Sequence, residues 1–316
     1  MKASAGDRMR ALVTGCAGFI GSHLVERLLE SGYEVVGIDC FSDYYPEEIK
    51  RTNISNALHQ ANFKLIENDI LSIYEFPEVD YVFHLAAQAG VRSSWGNNFE
   101  IYTRNNIGVT QKLLEFYKGS EIRKFIYASS SSVYGKVELP MRECSMLRPD
   151  SPYGVTKLAA ENLCYLYFTN YQIPVISLRY FTVYGPRQRP DMAINIFVQA
   201  VMNGEEITVY GDGEQSRDFT YVNDAVEATI IAAGSNTVGS VLNIGGGSRI
   251  TINELIKQIE RTTDKKALVR YIGAQKGDVR DTLADLSKTS ETLKWEPSSD
   301  IKEGLKLYIS WLLCPK

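Results

Sequence analysis

Three glycines, Gly15, Gly18 and Gly21, sit in the run Ala11-Leu-Val-Thr-Gly-Cys-Ala-Gly-Phe-Ile-Gly21, which leaves a short apolar stretch and enters a helical one. A chain turning sharply from strand to helix needs Gly15 at the turn. A backbone that must approach a pyrophosphate at the helix N-terminus needs Gly18, and Gly21 lets helix and strand lie close together. Phe19 and Ile20 open the same helix and count with the glycines as cofactor contacts. Further on, Asp39 ends a second apolar run, where a carboxylate accepts both hydroxyls of an adenosine ribose and repels a 2′-phosphate. No Arg immediately follows it, which favours NAD over NADP.

The first half alternates β-type and helical stretches: Arg10 to Val13, Ile20 to Leu29, Glu34 to Ile38, Phe63 to Ile66, Tyr81 to Leu85, Ile101 to Tyr117, Lys124 to Ala128, Pro152 to Asn170 and Val175 to Arg179. Such alternation predicts an α/β fold, a Rossmann-type doubly wound parallel sheet. Past Gly185 the pieces shorten: helices at Ile194 to Met202, Asn223 to Ala233, Thr251 to Arg261 and Ile301 to Leu312, and strands at Thr208 to Tyr210 and Val241 to Ile244. These imply a smaller mixed α/β domain. The expected division is 8–185 for cofactor and 186–316 for substrate, with segments free to cross.

A net charge of −4 without a basic block argues against nucleic acid as a partner. No stretch approaches the ~18 apolar residues of a membrane span, and Met1 to Arg10 lacks the apolar centre of a signal peptide, so a cytoplasmic protein is expected. The five cysteines and three histidines are scattered, and no metal is expected.

Tyr153-Gly-Val-Thr-Lys157 sets a phenol and an ammonium at i and i+4, on one face of a helix that Ser151 caps and Pro152 begins. Upstream lies the Ser-rich strand end Ala128-Ser-Ser-Ser-Ser-Val-Tyr-Gly135. Taking hydride from an alcohol carbon requires a base for the hydroxyl proton, and a phenol with a pKa of ~10 is a poor base at neutral pH without a neighbouring cation. Lys157 and the nicotinamide charge supply that field. Tyr153 is then the acid/base.

The G-x-x-G-x-x-G spacing, the Tyr-x-x-x-Lys pair and the chain length resemble the extended short-chain dehydrogenase/reductases, over nearly the whole chain. That resemblance implies Ser130 as hydrogen-bond donor to the reacting oxygen, Asp69 and Ile70 as adenine contacts, and His84-Leu85-Ala86-Ala87 as the strand beneath the cofactor. It also implies Asn105 and Tyr180 as cofactor neighbours. Related 4,6-dehydratases carry Asp-Glu, and UDP-glucuronate decarboxylases a Glu, where this chain has Ser131-Ser132. Elimination of water across C5 and C6 then lacks its usual acid and base, which points to an epimerase.

Gly211-Asp-Gly-Glu-Gln-Ser-Arg-Asp-Phe-Thr-Tyr-Val222 and Gly277-Asp278 resemble the nucleotide-binding segments of UDP-sugar epimerases. The resemblance puts Arg217 on the pyrophosphate, Asp278 on the uridine ribose, and Thr208 and Tyr210 beside the uracil. More narrowly, Arg179 to Ala193 and Phe41-Ser-Asp-Tyr-Tyr-Pro46 are similar to the UDP-glucuronate 4-epimerases. Arg189, Thr182 and Ser131 would there hold the sugar carboxylate, with Arg92 a second anion contact or a structural residue. The implied reaction oxidises C4, turns the 4-keto sugar and reduces its opposite face. UDP-galactose-type epimerisation, UDP-glucuronate decarboxylation and a non-catalytic NAD-binding role are the alternatives. The family also implies a homodimer packed through the helices at Ile101 to Tyr117 and Pro152 to Asn170.

Overall fold

The computed structural model of the chain describes residues 8–273 and 279–314. Its first half runs β1 (Arg10–Thr14), α1 (Phe19–Glu30), β2 (Glu34–Asp39), α2 (Glu47–Leu58), β3 (Phe63–Glu67), β4 (Tyr81–His84), α3 (Phe99–Tyr102), a π-helical turn (Thr103–Gly108), α4 (Val109–Tyr117), β5 (Lys124–Ser130) and α5 (Pro152–Tyr171). There follow β6 (Val175–Tyr180), β7 (Thr182–Tyr184), α6 (Ala193–Asn203), β8 (Glu206–Tyr210), β9 (Ser216–Tyr221), α7 (Val222–Gly234) and β10 (Ser240–Ile244). The chain continues through β11 (Arg249–Thr251), α8 (Ile252–Thr263), β12 (Leu268–Ile272), α9 (Ser287–Leu293) and α10 (Ile301–Leu313).

Seven strands form one parallel sheet in the order β10-β6-β5-β4-β1-β2-β3. A parallel sheet needs cover on both faces. Leu24, Val25 and Leu28 of α1 pack with Ala225, Ala228 and Ala232 of α7 on one side, and Leu113 and Leu114 of α4 with Ala160 and Cys164 of α5 on the other. The doubly wound fold is therefore as expected. Because β1 lies between β2 and β4, connections leave it in opposite directions, and a crevice opens at the carboxyl ends of β1 and β4.

One strand departs from the sequence expectation. Val241 to Ile244 belongs to the large sheet, paired in parallel with β6 from Ser240↔Ile176 to Ile244↔Tyr180, and not to the smaller domain. Its apolar run carries no mark of which sheet it joins; α7, packed against α1, brings it back to the open edge of β6. The C-terminal domain proper holds the three-stranded sheet β11-β9-β7 and the two-stranded sheet β12-β8.

Ser151 caps α5, its side chain accepting from the Gly154 amide at 3.1 Å, and Gln172 in the left-handed region ends the helix. The expected helix at Ile101 to Tyr117 begins two residues earlier and contains the π-helical turn, a feature often found at functional sites. No helix among the described residues is long and apolar enough to cross a membrane.

Candidate active site

The β1–α1 turn behaves as its glycines require. Gly15 has φ +70°, and a Cβ there would lie 2.9 Å from the Ala86 amide nitrogen, so the loops after β1 and β4 touch. A Cβ at Gly21 would fall 2.1 Å from the Gly15 carbonyl oxygen. Gly18 caps α1 in extended conformation with no side-chain hydrogen bond, leaving the helix's first amides for an anion.

These residues line one wall of a cavity of about 580 Å³ that also takes in Phe19, Ile20, Asp39, Asp69, Ile70, Leu85, Ala86, Ala87, Asn105 and Tyr180. Asp39 is fixed by amide donors, Ala17 N to Oδ2 at 3.0 Å and Phe41 N to Oδ1 at 2.9 Å, and each oxygen keeps a lone pair for a ribose hydroxyl. Burial raises its pKa against those hydrogen bonds and the nearby Lys50. Asp69 accepts from Leu71 N and pairs with Arg104, so its carboxylate is anchored at the far end of the crevice. The Tyr180 hydroxyl is turned away, 2.6 Å from Thr229 Oγ1.

One cavity residue, Lys50, and one buried bridging residue, Asn106, escaped the sequence reading. Asn105 lines the cavity, its carbonyl taken by Arg104, but the bridging amide is Asn106, which accepts from Gln88 N at 2.7 Å and donates to Thr156 Oγ1 at 2.9 Å. The π-helical turn that carries it gave no signal in the hydrophobic pattern. Lys50 lines the cavity near Asp39, its ammonium 4.5 Å from the Tyr45 ring centroid and bonded to Ser42. Helix α2, which holds it, is largely polar and was not anticipated.

Beyond the crevice, β5 and α5 bring Ser130, Tyr153 and Lys157 together. Burial raises the Tyr153 pKa, opposed by a hydrogen bond from Ser130 and by the Arg189 charge. Lys157 is almost fully buried and lies 4.4 Å from the Tyr127 ring centroid; desolvation pushes its pKa down to about 7, against Cys164 and Glu161, which favour the charge. One helical turn further, Glu161 forms a two-point pair with Arg179 at 2.6 and 3.1 Å and accepts from Ser129 Oγ at 2.6 Å. This ion pair ties α5 to β5 and β6 one helical turn from Lys157. Tyr134 points away from them and donates to Asn243 Oδ1 at 2.6 Å.

The same cavity contains Ser131, Ser132, Thr182 and Arg189. The expected nucleotide contacts fall elsewhere. Arg92 lies over the Tyr210 ring at 4.2 Å, Thr208 sits on the same strand β8, and Arg217 on β9 donates to the carbonyls of Ser216 and Arg280. Asp278 lies outside the described residues.

A buried acid at the end of β2 and an open helix start beside a serine, a phenol and a lysine are the parts that hydride and proton transfer at an alcohol carbon would need beside a dinucleotide. Residues 11–245 match the NAD dependent epimerase/dehydratase family, and the chain belongs to that family. It is 42% identical over 311 residues to the uncharacterized UDP-glucose epimerase YtcB of Bacillus subtilis, covering 96% of this chain and 98% of that one. The UDP-glucuronate 4-epimerase of Thermodesulfobacterium geofontis is 41% identical, with 95% of each chain covered. Among solved structures, the UDP-glucuronic acid 4-epimerase of Bacillus cereus in complex with UDP-glucuronic acid and NAD superposes with a TM-score of 0.94 at 43% identity, over 96% of this chain and 99% of that one. MoeE5, solved with NAD and either UDP-glucuronic acid or UDP-glucose, gives a TM-score of 0.87 at 40% identity, covering 96% of this chain and 98% of that one. NAD is the cofactor of this chain.

Proposed function

We propose that the enzyme interconverts UDP-glucuronate and UDP-galacturonate by epimerisation at C4. The observation that carries this reading is a guanidinium, Arg189, in the wall of the Tyr153 cavity together with Thr182 and Ser131, a donor set suited to a sugar carboxylate. NAD, when bound, supplies the hydride sink and source at C4. Tyr153 takes the C4 hydroxyl proton, and Ser130 hydrogen bonds the same oxygen. Lys157 in its ammonium form favours the phenolate, and hydroxyl acceptors of a bound ribose would raise its depressed pKa. The 4-keto sugar turns in the cleft, and Tyr153 returns a proton to the reformed alkoxide. The nucleotide is assigned to the β8–β9 side, with Arg217 toward the pyrophosphate, Thr208 and Tyr210 toward the base, and Arg92 as a further cation.

Proton NMR of UDP-glucuronate incubated with the NAD-loaded protein tests the proposal. UDP-galacturonate is expected to appear with no net redox change; a UDP-pentose as the main product, or no reaction, would overturn it. A second reading, epimerisation of UDP-glucose, is favoured by one feature: Arg189 is already paired with Asp191 and so is satisfied without a sugar acid. The same assay with UDP-glucose decides it.

We also propose a homodimer. Val155, Tyr165 and Leu166 of α5, with Ile101 of α3 and Phe116 of α4, are apolar and exposed in the single chain. Light scattering should give twice the 35.5 kDa chain mass; a monomer at all concentrations rejects the assembly.

A further inference from the structure

Asp191 holds the Arg189 guanidinium by one edge, Nε to Oδ1 at 2.9 Å and Nη2 to Oδ2 at 3.0 Å. Arg189 lines the cavity and Asp191 does not, so the carboxylate grips the guanidinium from outside and leaves Nη1 for a ligand. Asp191 is itself fixed: Tyr44 donates its hydroxyl to Oδ2 at 3.1 Å, and the Tyr44 ring lies 5.7 Å from the Arg189 guanidinium carbon. Ser93 lies beside Tyr44 next to Gly90, its hydroxyl is 2.7 Å from that of Tyr102, and the Tyr102 ring meets Tyr153 edge-on at 6.2 Å. Gly90 makes room for this join, since a Cβ there would lie 2.3 Å from the Tyr44 hydroxyl and 2.6 Å from Ser93 Oγ. Three segments distant in sequence thus meet around the reacting end of the cavity. One of them begins at Asp39, the ribose anchor.

We infer that Asp191 and Tyr44 are positioning residues for sugar-acid recognition, holding the Arg189 fork so that its free edge faces the substrate carboxylate. The inference rests on the reading of Arg189 as the carboxylate contact. An exposed guanidinium on a flexible stem loses rotamer entropy each time it binds, and a pre-formed two-point pair removes that loss before the substrate arrives. Because Asp191 is 40% exposed and Arg189 21%, solvent screens the pair, and its value lies in orientation more than in stability. Tyr44 ties that orientation to the segment that binds the cofactor.

The test is Asp191→Ala in the NAD-loaded enzyme, with Tyr44→Phe as a milder variant that keeps the ring and with Asp191→Glu as the conservative replacement. For Asp191→Ala, kcat/KM for UDP-glucuronate should fall about tenfold, mainly through KM, with a smaller loss for UDP-glucose and a larger share of decarboxylated product. Tyr44→Phe should move the same ratio less, and Asp191→Glu should recover part of it. An unchanged ratio between the two substrates, or a lower KM for UDP-glucuronate because Asp191 competes with it, overturns the inference. Should the unmodified enzyme leave UDP-glucuronate untouched, the functional reading fails on its own, and crystals of NAD-loaded Asp191→Ala then decide the positioning role. Arg189 displaced from its place over Tyr44 supports that role, and Arg189 held where it is refutes it.

Discussion

Tyr153→Phe is expected to lower kcat by about 10³-fold or more, the scale of removing a positioned acid/base, while NAD binding and thermal stability stay near those of the unmodified protein. The substitution deletes one oxygen and leaves the ring against Tyr102, so packing is preserved and the loss reads the chemistry. The phenol sits where burial disfavours its charged form and Ser130 and Arg189 favour it. Without the oxygen, the C4 hydroxyl would lose the proton acceptor proposed for it, since Lys157 faces the Tyr127 ring and Ser130 is a weak base. Steady-state turnover alongside titration of NAD checks this, and near-normal kcat would remove Tyr153 from the acid/base role.

Arg189→Ala has the second large expected effect, and it shows in the products. A 4-keto uronate is a β-keto acid: when the C5–carboxylate bond lines up with the carbonyl π system, its electron pair flows into the ketone, carbon dioxide leaves, and the enolate takes a proton. A guanidinium that fixes the carboxylate keeps that bond out of alignment and holds its charge in place. Removing it should lower kcat/KM for UDP-glucuronate by about 10²-fold and release carbon dioxide with a 4-keto pentose nucleotide. Product analysis by NMR over time checks both parts; unchanged kinetics and a clean epimer would exclude Arg189 from the site.

The parts of this molecule legible in the sequence are those whose physics is local. The Gly15–Gly18–Gly21 turn, the Ser151–Pro152 helix start and the i, i+4 spacing of Tyr153 and Lys157 each follow from neighbours along the chain. What escaped was set by contacts across it. The strands β7, β9, β11 and β12 are at most six residues long, and their partners are far away in sequence. Val241 to Ile244 was seen as a strand and grouped with the pieces past Gly185, because an apolar run does not name its neighbour. In the site, Asp191 reads as one more surface acid until Tyr44, 147 positions away, is found beside it. Asn105 lines the cavity, but the bridge that its neighbour Asn106 makes to Gln88 was not read, because only the local winding of the helix decides which amide faces Gln88.

The return of the chain through β10 also limits how this enzyme can be taken apart. A protein ended at Gly185 would lack α7 and β10, leaving α1 without its neighbour on one face of the nucleotide-binding sheet and opening the β6 edge to pairing with other chains. The part of the chain past Gly185 is therefore less an attached module than an outgrowth of an unbroken frame. A transplanted C-terminal half would arrive without its own foundation.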